Sequence, residues 1–79
     1  MIQISQYKIS PEEDSALISK IASDYGFSTD SIKVFQIVKK ALDARKKPQL
    51  LYVYTLNLTL NEKIETKLLR KYRNIQRID

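Results

Sequence analysis

Val38 to Pro48 reads VKKALDARKKP, and Leu50 to Leu60 follows it as LLYVYTLNLTL. In the second segment Leu50, Tyr52, Tyr54, Leu56, Leu58 and Leu60 take every other position, which is the period of a β-strand. The intervening positions begin apolar, with Leu51 and Val53, and turn polar at Thr55, Asn57 and Thr59. One face of this strand is therefore core along its whole length, and the other is apolar only in its first half. The cations and Pro48 that precede it mark a turn.

Upstream of that turn the pattern is open. Ile32, Phe35, Val38, Ala41, Leu42 and Arg45 would line one face of a helix. Val34, Phe35, Ile37 and Val38 are nevertheless good strand formers, and Ile37 would fall on the polar side of that helix. Periodicity alone does not choose between them.

The segment Asp43-Ala44-Arg45-Lys46-Lys47, followed by Tyr54-Thr55 in the strand, resembles the small N-terminal domain of bacterial FAD-dependent dehydrogenases, also called NAD(P)/FAD-dependent oxidoreductases. Ser10, Pro11 and Glu12 near the start extend the resemblance over most of the chain. Ala41 departs from it, standing where the family pattern has serine. The resemblance implies that residues 33–43 form the first arm of a hairpin turning through 45–48. It also implies a parent flavoprotein, with a strand and a glycine-rich dinucleotide turn following soon after Asp79. FAD and NAD(P)H would belong to that parent and not to these residues.

Seventy-nine residues make one small domain, 1–79, with a modest core. Cysteine and histidine are absent, so disulfides, thiolate metal sites and imidazole catalysis are excluded. A single glycine, Gly26, cannot write a P-loop or a dinucleotide fingerprint. By itself the polypeptide is expected to be non-catalytic, with no catalytic, cofactor-binding or metal-binding residues. No apolar run is long enough to span a bilayer. The start MIQISQYKIS lacks the form of a signal peptide, so a cytoplasmic location and no membrane partner are expected.

Residues 2–9 read as a strand whose alternation changes phase near Ser5, as at a bulge. Ser10-Pro11-Glu12-Glu13 has the form of a capping box opening a helix with the stripe Leu17, Ile18, Ile21, Ala22 and Tyr25. Gly26 suits the left-handed position at that helix's end. Asn61 can cap a second helix, from about Glu62 to Ile75, with Ile64, Leu68, Leu69, Tyr72 and Ile75 buried. The order β-α-β-β-α predicts an α+β two-layer sandwich, ferredoxin-like without its last strand, both helices on one sheet face.

Two surfaces then qualify as functional. Phe35, Ile37, Leu51 and Val53 would form an apolar patch on the sheet face that neither helix covers, fit to dock on the flavin domain of the parent or on a second subunit. Lys39, Lys40, Asp43, Arg45, Lys46 and Lys47 would make a basic hairpin, in which Asp43 and Arg45 could pair. Charge is uneven, −3 over residues 1–32 and +8 over 33–79. The alternative function is thus a free-standing basic module binding nucleic acid or an acidic protein. Tyr52 and Tyr54 weigh against nucleic acid, because they share the core face with the leucines and cannot stack on bases.

Overall fold

A computed structural model describes residues 1–46 and 49–78, with side chains throughout except at 44–46 and 49. The chain runs through β1 (Ile2–Ile9), α1 (Leu17–Tyr25), β2 (Val34–Lys46), β3 (Gln49–Thr59), α2 (Glu62–Lys71) and β4 (Ile75–Arg77). The strands form one sheet in the order β2-β3-β1-β4, each neighbouring pair antiparallel. This is the predicted α+β sandwich with a correction: the last strand exists. It is three residues long, and it pairs Ile75 with Ile4, Gln76 with Gln3 and Arg77 with Ile2.

The alternation of β3 dictates the layering. Tyr54, Leu56, Leu58 and Leu60 are buried together with Ile2, Ile4, Tyr7 and Ile9 of β1, Leu17 and Ile21 of α1, and Leu68 of α2. A single core containing residues from both helices puts both on the same side of the sheet. The other side is open.

The phase change in β1 is a bulge. Ile4 pairs with Leu56 and Tyr7 with Tyr54, so Ser5 and Gln6 together oppose Thr55. Gln6 takes up the extra length at φ 58°. The bulge returns Tyr7 and Ile9 to the face already occupied by Ile2 and Ile4, and all four are buried. Asn74 holds it in place: its Nδ2 donates to the Ser5 carbonyl (2.9 Å), and its own carbonyl accepts from the Ser5 amide (2.9 Å).

The helices differ from expectation at their ends. Pro11–Ala16 winds as 3-10 helix, and Ser10 makes no side-chain cap. Ser10 Oγ instead donates to Glu13 Oε1 at 3.4 Å, so the capping box is not formed. The α-helix proper begins at Leu17, and Ile18 faces solvent at 41% exposure. Gly26 closes it at φ 75°, as the sequence predicts, with its amide on the Ala22 carbonyl (2.8 Å). Asn61 caps α2 through Oδ1 and the Ile64 amide (2.9 Å). That helix stops at Lys71 rather than running to Ile75, because the free edge of β1 recruits residues 75–77 as a strand.

The ambiguous stretch is strand, from Val34 to Lys46. It is the first arm of a long hairpin, and Lys46 pairs with Gln49 near the turn. Lys47 and Pro48 of the predicted turn lie outside the described residues.

Candidate functional site

Residues directly opposed across strands share a sheet face, so the β2–β3 register sorts the candidate residues. Val34 opposes Thr59, Gln36 opposes Asn57, Lys39 opposes Thr55, Ala41 opposes Val53 and Asp43 opposes Leu51, all on the open face. Phe35 opposes Leu58, Ile37 opposes Leu56, Lys40 opposes Tyr54 and Leu42 opposes Tyr52, all on the helix-bearing face. Val38 is the extra residue of a second bulge, between Ile37 and Lys39.

The patch Phe35, Ile37, Leu51 and Val53 is therefore divided. Leu51 and Val53 lie on the open face, half-buried; Phe35 packs against the core, and Ile37 is on the helix side at 52% exposure. Sequence reasoning set the faces of β2 by simple alternation. The neighbouring strand sets them otherwise, since Leu56 and Leu58 draw Ile37 and Phe35 to their own side.

The basic hairpin also divides. Lys39 and Asp43 stand on the open face and Lys40 on the other. The side chains of Arg45 and Lys46, and all of Lys47, lie outside the described residues, and with them the Asp43–Arg45 pair.

A groove of about 560 Å³ is lined by Gln6, Lys39, Ala41, Asp43, Val53 and Thr55 of the open face and by Leu42 at the β2 edge. The β1 bulge places Gln6 in its wall. Val53 and Ala41 supply apolar floor, Thr55 a hydroxyl, and Lys39 and Asp43 opposite charges. Toward the other end of the sheet the face becomes polar. Gln76 Nε2 donates to Gln3 Oε1 (3.1 Å), and Gln3 Nε2 donates to Asn57 Oδ1 (3.1 Å), an amide row crossing three strands.

On the helix side, Lys40 belongs to a cluster that sequence reasoning missed. The Tyr54 hydroxyl, on a residue only 2% exposed, donates to Asp14 Oδ1. Lys40 Nζ lies 3.5 Å from Asp14 Oδ2 and 4.0 Å above the centre of the Tyr52 ring, a cation–π contact. The neighbouring Tyr54 hydroxyl leads in raising the Lys40 ammonium above its usual range. Burial, then the Asp14 hydrogen bond, push the Tyr54 phenol up. Both groups hold their protons at neutral pH, so neither is poised as a base. The one available signal was Tyr54 itself: a tyrosine at a core position requires a polar partner. That Asp14 is the partner depends on the 3-10 winding of Pro11–Ala16, which alternation does not reveal.

Among the described residues no cluster of three or more Asp and Glu side chains could hold a metal ion. No described helix is long and apolar enough to cross a membrane.

A family of domains described as "Domain of unknown function (DUF8436)" matches residues 1–59. The chain belongs to DUF8436. A comparison with curated proteins returns no match. The part shared with DUF8436 ends with β3, so it contains β1, α1 and the whole hairpin, hence every residue of the groove and of the Tyr54 cluster. Helix α2 and strand β4 lie beyond the matched span.

Proposed function

We propose that this domain is a non-catalytic docking module of a larger FAD-dependent dehydrogenase, and that its contact surface is the open-face groove around Val53. The observation carrying the docking half is that Leu51, Val53 and Ala41 stay only partly buried on a face neither helix covers. A partly apolar, charge-flanked groove suits a protein surface better than a small metabolite. The dehydrogenase half rests on the resemblance carried by Asp43-Ala44-Arg45-Lys46-Lys47 and Tyr54-Thr55. On this reading the flavin and the nicotinamide are bound by the parent protein, and this domain packs against the flavin-binding part.

The test is calorimetric. The wild-type domain and Val53→Lys are titrated with the remainder of the parent protein. We expect Val53→Lys to stay folded and to bind at least tenfold more weakly, because a desolvated ammonium would replace apolar contact. Equal affinity for both forms would remove the groove from the interface. A downstream coding sequence lacking a glycine-rich dinucleotide turn would remove the dehydrogenase.

A further inference from the structure

The sheet has two unequal edges. Strand β4 closes one side with three residues, Ile75–Arg77, too short to template another chain. Strand β2 forms the other side with thirteen residues, Val34–Lys46, uninterrupted by proline. Along it Ile37, Val38 and Leu42 are 52%, 53% and 59% exposed. Lysines commonly keep such an edge in solvent. Here Lys40 folds back over Tyr52 toward Asp14, and Lys39 lines the open-face groove. Among the described residues, Ile37, Val38 and Leu42 leave apolar surface along this edge.

We propose that β2 pairs antiparallel with β2 of a second copy, joining two four-stranded sheets into one of eight strands around a twofold axis. The unequal edges make this arrangement closed. A second copy offers an edge of matching length, each copy has one, and no long edge is left once they pair, so assembly stops at two. Charge sets the register. With Ala41 on the axis, Lys39 of each copy stands opposite Asp43 of the other, and the small Ala41 pair allows close approach. Asp43, already engaged within its own chain, gains a second partner. Leu42 then lies opposite Lys40, covering its aliphatic stem. Since Lys39, Ala41 and Asp43 line the groove, the two grooves meet across the axis as one. An edge contact of this size belongs to the weak class, so the dimer is expected at high concentration.

Sedimentation equilibrium of the full chain, from about 10 µM to 1 mM, covers the range of such weak pairs. We expect the mass to rise from 9.2 kDa toward twice that value. The double variant Ile37→Lys, Leu42→Lys should weaken association at least tenfold. Ser23→Lys, which adds charge on an exposed turn of α1, should leave it unchanged. A wild-type mass of 9.2 kDa throughout, or a double variant that dimerises as well as the wild type, overturns the proposal. Should the double variant unfold, amide hydrogen exchange of the wild type decides. Protection in β2 that grows with protein concentration supports the pairing, and protection independent of concentration refutes it.

Discussion

Tyr54 shows how one side chain can carry two assignments. Its ring belongs to the core, while its hydroxyl donates to Asp14, which Lys40 also meets, and this contact ties the 3-10 segment to the hairpin. Replacing it with phenylalanine keeps the ring and leaves Asp14 with Lys40 alone. Hydrogen bonds to charged groups are worth somewhat more than neutral ones, so Tyr54→Phe should cost about 1–2 kcal/mol. Urea unfolding would register this as a lower midpoint at unchanged slope, and an unchanged midpoint would make the bond energetically neutral. Glu65 is a second residue of this kind. It is buried at the start of α2, where Oε2 accepts from the Leu60 amide (2.8 Å) and Oε1 faces the Met1 ammonium (3.4 Å). Its position in a polar-looking helical turn gives no hint of burial, because the groups it satisfies sit just before β1 and just after β3.

At the scale of the element, β1 is the instructive case. Its hydrophobic pattern slips by one at Ser5, and a slip of one would turn half a strand outward. The bulge absorbs the slip, and Gln6 accepts a left-handed backbone to make it. For a side-chain-bearing residue that conformation costs about 1 kcal/mol more than for glycine. Gln6→Gly should therefore stabilise the domain by up to about 1 kcal/mol, raising the melting temperature by about 4–8 °C. A fall in melting temperature would mean that the Gln6 side chain contributes more than its backbone strain removes. The bulge was legible in the phase change. The strand identity of residues 34–46 was not legible from periodicity, since Val38 sits in a bulge and breaks the alternation that would have announced a strand.

For the whole molecule, the tyrosines set the response to alkali. Burial leads in raising the phenol pKa values of Tyr7, Tyr25 and Tyr54, with hydrogen bonds to Asp24 and Asp14 adding to it at Tyr7 and Tyr54. In the unfolded chain a phenol ionises near its ordinary value of about 10. Above that pH the unfolded state has lost protons that the folded state retains, so stability falls as pH rises. Below it, these groups make their full contribution. Thermal melts between pH 8 and 11 should show a flat region up to about pH 10 and a steep decline above it, shallower in Tyr7→Phe. A melting temperature that held to pH 11 would contradict the burial of these hydroxyls.

The sequence by itself determined the α+β class, the core face of β3, the left-handed Gly26 and the Asn61 cap. Each follows from local periodicity or from the backbone needs of one residue. Tertiary structure alone decided the faces of β2, the fourth strand, the 3-10 winding before α1 and the pairing of Tyr54 with Asp14. Those depend on which backbone edges and buried hydroxyls come near one another once the layers have met, and no neighbour in the chain carries that information.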